Sequence, residues 1–237
     1  YDEKGNTRFL SIQFRPQYQY LDQNKEAEER IYEGETPGVS YGDIAERYYT
    51  VGQYMKEVKD VSKAMAAAGD SYICDEYLNA MGSPEAESVY VLHDLNNDGI
   101  EEFFIGLKFN YDIPYYVIYD VYTWKDGRAY QLMRGIGYRN GSCKICENGV
   151  IEDNYSGSAW DGQTLYHILP EGGIELETID SVSSRRDGTV QSYYHWNELI
   201  DENSLQTILE QYQPESVTYV DCNRETIEQL RLSGIRK

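Results

Sequence analysis

Apolar positions between residues 43 and 68 repeat with the period of an α-helix. Steps of alternately four and three residues place them on one face, and the positions are Ile44, Tyr48, Val51, Met55, Val58 and Met65, with Ser62 at the one missing place. This stripe predicts a long helix that begins at Asp43, is capped by Ser40 and ends near Gly69. A shorter helix is predicted over residues 71–81, with Gly82 as its C-terminal stop.

Beyond residue 86 the pattern changes to that of β-strands. Short apolar or alternating segments are separated by turns rich in Gly, Asn and Asp, and an Asn-Gly pair between such segments is a strong hairpin signal. The predicted strands are 87–93, 102–110, 115–124, 128–135, 142–146, 150–155, 164–169, 174–179, 183–187 and 190–194. Because no crossover helix interrupts them, the pattern predicts an antiparallel meander, as an open curved sheet or a barrel-like sheet.

Helices are predicted on both sides of this meander, so the fold class is α+β. The C-terminal part contains a predicted helix over residues 202–212, a possible strand over 216–220 and a short helix after Asn223. Residues 1–40 are expected to form an N-terminal extension, or an edge strand followed by a linker. Residues 41–237 are expected to form one α+β domain, with helices in 43–81, the sheet in 87–195 and C-terminal helices in 202–232.

A polar segment between the first two predicted strands has the spacing of a calcium loop. Its positions 1, 3, 5, 6 and 9 are Asp94, Asn96, Asp98, Gly99 and Glu102. Calcium binds six to eight oxygen ligands, and a 1-3-5 spacing directs alternate side chains to one centre. Ile100 would add its main-chain carbonyl, and Glu102 a carboxylate. A complete EF-hand needs a glutamate at position 12, where Ile105 stands in a strand, so the pattern predicts a structural Ca²⁺ ion in a β-hairpin.

The same segment has a second interpretation that needs no metal. Asp and Asn side chains commonly accept hydrogen bonds from the backbone of their own turn. The two interpretations make different predictions, because closely spaced carboxylates without an ion repel each other and destabilise the hairpin.

This loop also carries a resemblance to known proteins. The motif Asp94-x-Asn96-x-Asp98-Gly99-x-x-Glu102 is similar to the short calcium loops of integrin-type propeller repeats and of dockerin-like modules. Together with residues 119–127 and 147–151, it resembles secreted or lipid-anchored proteins of gut anaerobic bacteria, over about residues 70–212. The resemblance implies an exported protein, extracellular or anchored to the cell surface, and implies no particular activity. A propeller is not expected, because the other Asp-Gly pairs lack the 1-3-5 ligands.

Composition narrows the possible partners. With 41 acidic and 21 basic side chains the formal net charge is −20, which repels nucleic acid and anionic lipid. No apolar run is long enough to cross a bilayer. The 24 tyrosines, against 5 phenylalanines, suit sheet surfaces that are packed on one side and hydrated on the other.

The four cysteines allow several states. Cys143 and Cys146 form a Cys-x-x-Cys pair in a predicted strand, whereas a redox pair belongs at a helix N-terminus. A zinc site would need Cys74 and Cys222 to converge on that pair. Buried thiols or a disulfide are the simpler interpretations.

No catalytic motif is present, so two functions of different kinds remain. The first is a non-catalytic module that binds a glycan or protein ligand, and the second is a secreted hydrolase acting on glycans or peptides; a purely structural domain is a third possibility. Trp160, in the polar segment 157–162, is the best candidate to stack on a sugar ring, although ordinary packing is the alternative. None of His93, His167 and His195 stands at metal-ligand spacing from another.

Overall fold

The structure is a computed structural model. It describes residues 40–68, 73–125, 127–136, 143–156, 160–169, 174–183, 190–196 and 198–233. The extension or edge strand predicted for residues 1–40 therefore lies outside the described residues, apart from Ser40.

Along the chain, helices precede and follow the main run of strands, as predicted. They are α1 (Tyr41–Val58), α2 (Val61–Ala68), α3 (Asp75–Met81), α4 (Glu202–Leu209) and α5 (Arg224–Ser233). Ser40 caps α1 with a reciprocal box, in which its hydroxyl accepts from the Asp43 N–H at 3.2 Å and the Asp43 carboxylate accepts from the Ser40 N–H at 3.1 Å.

The long helix predicted from residue 43 is divided in two. Lys59 adopts a left-handed conformation with φ 52° and ends α1. Asp60 then accepts a hydrogen bond from the Lys63 N–H at 3.1 Å, as a capping residue of α2. The apolar stripe continues across this break, which is why periodicity alone did not reveal it.

The strands form two antiparallel sheets in which consecutive strands pair along the chain, except that the last strand joins the first sheet beside its first strand. They are β1 (Ala86–His93), β2 (Glu102–Phe109), β3 (Tyr115–Lys125), β4 (Arg128–Arg134), β5 (Cys143–Cys146), β6 (Val150–Ser156), β7 (Trp160–Ile168), β8 (Ile174–Ser183), β9 (Val190–His195), β10 (Glu198–Ile200) and β11 (Val220–Asp221). The five-stranded sheet has the order β11-β1-β2-β3-β4, and the six-stranded sheet the order β10-β9-β8-β7-β6-β5. The predicted α+β meander is confirmed, and both sheets are open rather than closed.

Several strands differ from the prediction. β7 begins at Trp160 rather than at residue 164, and β11 is Val220–Asp221 rather than 216–220. β8 continues through Ser183, where a separate strand was expected to begin, and residues 184–189 lie outside the described region. β10 was not predicted, because Glu198–Ile200 is only three residues long.

The described elements stack in four layers. Helices α1, α3 and α5 cover one face of the five-stranded sheet through residues such as Tyr48, Phe103 and Ile227. The other face of that sheet packs on the six-stranded sheet, as Phe104 with Ile151 illustrates. Helix α4 covers part of the outer face of the second sheet. Because the first sheet is covered on both faces, β2 is buried along nearly its whole length.

Gly106 allows the close approach of β2 and β3. The register of this strand pair shifts between Ile105 and Gly106. A Cβ atom on Gly106 would lie 2.1 Å from the carbonyl oxygen of Val117, so any larger residue would push the two backbones apart. The glycine therefore maintains the bulge in the middle of the sheet that supports the acidic loop.

Candidate functional site

The acidic loop joins β1 to β2 at one end of the first sheet. The last pair of the hairpin ladder is His93 with Glu102, so residues 94–101 form the connection. Asn97 and Gly99 have φ angles of 58° and 86°. These left-handed conformations, which Asn and Gly adopt most readily, fold the loop into a tight turn.

Side-chain oxygens of the predicted calcium ligands point into this turn. The Asp94 carboxylate accepts hydrogen bonds from the N–H groups of Asp98 at 3.1 Å and Gly99 at 2.9 Å. The side-chain amide oxygen of Asn96 accepts from the same Asp98 N–H at 3.2 Å, so side-chain oxygens at positions 1 and 3 contact one nitrogen. Asp98 in turn accepts from the Ile100 N–H at 2.7 Å. These bonds are the self-capping pattern of a polar turn, and they bring side-chain oxygens of positions 1 and 3 close to each other.

Glu102, the predicted ligand at position 9, lies beneath the loop. Its side chain is fully buried and accepts hydrogen bonds from the Leu95 N–H at 3.0 Å and the Thr123 hydroxyl at 3.1 Å. Burial raises the pKa of Glu102 to about 7; these two hydrogen bonds oppose the rise, and the negative charges of Asp98 and Asp94 add to it. The carboxylate thus anchors the base of the loop.

These positions determine which groups could hold a cation. Asp94, Asn96 and Asp98 present oxygens on the loop, and calcium accepts such carboxylate and amide ligands with main-chain carbonyls and water completing its shell. The Ile100 carbonyl is the main-chain candidate. Among the described residues, no three His, Cys, Asp or Glu side chains are grouped so that they could hold a metal ion. Glu102 is turned inward to the Leu95 N–H and the Thr123 hydroxyl, so a bound Ca²⁺ would depend on Asp94, Asn96 and Asp98 with carbonyl and water ligands.

The loop also contacts the second sheet. The Asn96 side-chain amide donates a hydrogen bond to the Leu169 carbonyl, just beyond β7, at 3.0 Å. Leu95 is buried in the core between the two sheets. Beside the loop, His93 Nε2 lies 3.0 Å from the Glu215 carboxylate, on the segment that follows α4. The acidic loop is therefore a junction between the sheets as well as a turn.

Trp160 begins strand β7, where it pairs with Val182, so its backbone is part of a sheet rather than of a loop. Its side chain lies outside the described region. Of the other two tryptophans, Trp124 packs edge-on against Tyr41 with ring centroids 5.8 Å apart, and Trp196 is 39% exposed.

All four cysteines are free and buried. Cys74 and Cys222 lie in the helix-covered core, Cys143 between the sheets, and Cys146 in the core under α4. Burial raises the pKa of Cys222 to about 12. Since the thiols occupy three separate cores, the structure holds them as packing groups.

A second polar cluster joins residues that the sequence analysis left unconnected. The Glu177 carboxylate lies 2.8 Å from His167 Nε2 and 2.6 Å from His195 Nε2, and it accepts a hydrogen bond from the Tyr212 hydroxyl at 2.7 Å. Burial acts to raise the pKa of Glu177, but hydrogen bonds from His167, Tyr212 and His195 outweigh it and lower the pKa to about 2. An ionised carboxylate only accepts, so both imidazoles donate from Nε2.

Strand register explains this cluster. Glu177 pairs with Leu165, two residues before His167, and Ile179 pairs with His195. Residues two apart on a strand share a face, so both histidines lie diagonally beside Glu177. The turn signal Glu171-Gly172-Gly173 in the sequence could have predicted the His167 contact, whereas the contacts of His195 and Tyr212 depend on longer-range folding.

A third carboxylate, Asp120, is buried in the first sheet. It accepts hydrogen bonds from the Tyr48 hydroxyl and from the Gly135 N–H, the latter at 2.8 Å. The Tyr48 hydroxyl oxygen also lies 3.0 Å from the Tyr122 hydroxyl oxygen. Burial raises the pKa of Asp120 to about 6, against the opposing effect of these donors and of the positive charge on Arg134. The network ties α1 to β3.

Comparisons of the whole chain with protein-family models, with curated proteins and with solved structures find no match. No helix in the described ranges is both long and apolar enough to cross a membrane.

Proposed function

We propose that this protein is an exported, non-catalytic binding module of the cell surface, and that its acidic loop binds a structural Ca²⁺ ion. The observation that carries the calcium proposal is the proximity of the Asp94 and Asn96 side-chain oxygens, which lie 3.1 and 3.2 Å from one nitrogen, that of Asp98. A metal-free turn makes the same bonds, so the test compares the protein with and without calcium. Export and surface attachment rest on the resemblance of the loop, together with residues 119–127 and 147–151, to secreted or lipid-anchored proteins of gut anaerobic bacteria.

The position of the loop supports a structural role for the ion. Asn96 bonds to Leu169, at the end of a strand in the other sheet, while Leu95 packs between the sheets. An ion that orders Asp94, Asn96 and Asp98 would therefore fix the junction of the two sheets. The formal net charge of −20 also favours uptake of a divalent cation.

The test is thermal unfolding of the full chain in EDTA and in millimolar CaCl₂. A ligand that binds only the folded state stabilises it by about 2.7 kcal/mol at one hundred times its Kd, so Ca²⁺ should raise Tm by several degrees. The Asp94→Ala/Asp98→Ala double variant should lose that gain. Asp112→Ala, which removes an exposed carboxylate from the next hairpin, is the matched control and should keep it. An equal Tm in EDTA and in calcium for the wild type would refute the calcium site.

The binding role is tested separately. Retention of the wild type on a glycan array, lost in Trp160→Ala, would support a glycan ligand at that residue. Turnover of a glycan or peptide substrate by the purified protein would instead support the second candidate, a secreted hydrolase.

The polar cluster around Glu177 favours the second candidate, a secreted hydrolase. Glu177 holds two half-buried imidazoles, His167 and His195, through Nε2, and a carboxylate that orients a histidine is a recurrent part of hydrolytic sites. If the protein is a hydrolase of this kind, His167→Gln and His195→Gln should each abolish turnover without a large change in Tm. Activity that survives both substitutions would exclude this cluster.

A further inference from the structure

Exposed apolar side chains concentrate at the tip of the β2–β3 hairpin. Seven large hydrophobic residues of the described region are exposed, and three of them lie within five residues: Tyr111 at 51%, Ile113 at 82% and Tyr115 at 47%. Of the other four, Val58 and Leu232 are isolated, and Trp196 and Leu199 lie three residues apart. Single exposed apolar residues need no explanation, but a contiguous group of them marks an interaction surface.

The rings at this tip share one orientation. Phe109 and Tyr115 are cross-strand partners, with ring centroids 4.8 Å apart and planes 14° apart. Tyr111 lies parallel to Phe109 within 2°, and its centroid is 5.9 Å from that of Tyr115. Because Phe109 is buried at the edge of the helix-covered core, it holds the two exposed tyrosines in place before any ligand binds. Such preorganisation lowers the entropic cost of binding.

Polar groups surround these rings. The side chains of Asn110 and Asp112 are exposed, and within the described residues neither they nor the two tyrosine hydroxyls form a hydrogen bond. The tip therefore combines parallel aromatic faces with free donors and acceptors at their rim. A sugar ring has the matching chemistry, since its C–H face packs against the electron-rich face of an aromatic ring while its hydroxyl groups hydrogen-bond around the edge.

The negative charge of the protein discriminates between neutral and anionic sugars. The chain carries a formal net charge of −20, and Asp112 places a carboxylate beside the rings. This field disfavours uronate-rich or sulfated glycans and anionic lipid. Neutral sugars are not repelled.

We propose that the aromatic tip, defined as Phe109, Tyr111 and Tyr115, binds a neutral oligosaccharide by stacking. This inference rests on the proposed function as a binding module and specifies where the ligand binds and what class it belongs to. Tyr111 and Tyr115 contact the sugar, and Phe109 positions them.

The test uses affinity gel electrophoresis of the full chain through defined neutral polysaccharides: a β-glucan, a mannan and a galactan. The wild type should be retarded by at least one of them, and Tyr111→Ala/Tyr115→Ala should weaken that binding by about tenfold or more. Trp196→Asn removes an exposed ring elsewhere, and Asn tolerates the left-handed backbone of that residue (φ 53°). This control should migrate like the wild type. Circular dichroism checks that each variant is folded.

A further variant separates sugar from protein or bilayer as the occupant. Ile113→Ser removes the most exposed apolar side chain without touching a ring, so sugar binding should change less than about twofold, whereas insertion into an apolar pocket or bilayer would depend on it. The proposal is overturned if no neutral polysaccharide retards the wild type, or if the double variant is retarded equally. In the second case, loss of retardation in Trp160→Ala would leave the binding-module function standing at a different site. The calcium-dependent change in Tm is measured independently of sugar binding at Tyr111 and Tyr115 and of sugar binding at Trp160.

Discussion

The Asn96 side-chain amide donates a hydrogen bond to the main-chain carbonyl of Leu169 at 3.0 Å, and this bond joins the two sheets. Asn96 lies in the loop between β1 and β2, while Leu169 follows β7, 73 residues further along the chain. The same side chain accepts a bond from the Asp98 N–H at 3.2 Å. One residue thus both shapes the acidic loop and attaches it to the second sheet.

Asn96→Ala should therefore destabilise the protein by about 1–2 kcal/mol, because it removes these two bonds, together with the bond from the Asn96 amide to the Asp98 carboxylate at 3.2 Å, and leaves a partly buried carbonyl without its donor. Urea unfolding in EDTA measures this without any contribution from calcium. Asn97→Gly is the matched control: Asn97 is exposed and has φ 58°, which glycine adopts without strain. A loss in Asn96→Ala no larger than in Asn97→Gly would mean that the contact contributes nothing to stability.

Gly149 allows a test of the same junction from the other side. It follows β5 in the turn to β6 with φ 77°, and a Cβ atom there would lie 3.2 Å from the Ile168 carbonyl oxygen and 3.4 Å from that of Leu95. Gly127 has nearly the same φ, 79°, with no atom within 4 Å of the corresponding position. Both alanine variants should lose about 1–2 kcal/mol through backbone strain. In urea unfolding, Gly149→Ala should lose measurably more stability than Gly127→Ala. Equal losses would show that the acidic loop shifts to accommodate the added methyl group at no cost in free energy.

Asp120 should make stability fall as the pH rises. Burial raises its folded-state pKa from 3.8 to about 6, so the folded protein holds this proton more tightly than the unfolded chain does. The corresponding stability is fully present below about pH 4 and is lost as the pH rises through 6. Asp120→Asn, which keeps an acceptor for the Gly135 N–H, should gain on the order of 2–3 kcal/mol relative to the wild type between these pH values. A difference between the two proteins that does not change with pH in urea titrations would contradict the prediction.

Glu177 should have the opposite pH dependence. Its pKa is lowered from 4.5 to about 2, so its contribution is present above pH 4.5 and is lost as the pH falls towards 2. Glu177→Gln should cost about 1–3 kcal/mol at pH 7, since it replaces a charged acceptor of three hydrogen bonds. The gap between variant and wild type in chemical unfolding should then close as the solution is acidified below pH 4.5. The exposed residue Glu198 is the control position, and Glu198→Gln should unfold like the wild type at each pH.

The sequence by itself determined the class and the local hairpins. Turns such as Asn148-Gly149 connect neighbouring strands, and the alternation of side chains then sets the pairing, so strands such as β5 and β6 could be placed from adjacent residues alone. The loop at Asp94–Glu102 was recognisable for the same reason, because its spacing lies within nine residues. The capping of α1 by Ser40 is equally local.

Only the tertiary structure decided how these units meet. The division into two sheets, the burial of Glu102 under its own loop and the contact of Asn96 with Leu169 depend on packing between segments far apart in the chain. The Glu177 cluster gathers its members from β7, β8, β9 and the segment after α4 for the same reason. The conformational preferences of neighbouring residues do not encode such contacts. They form because two apolar sheet faces bury each other, and the polar groups that become buried with them must then form hydrogen bonds.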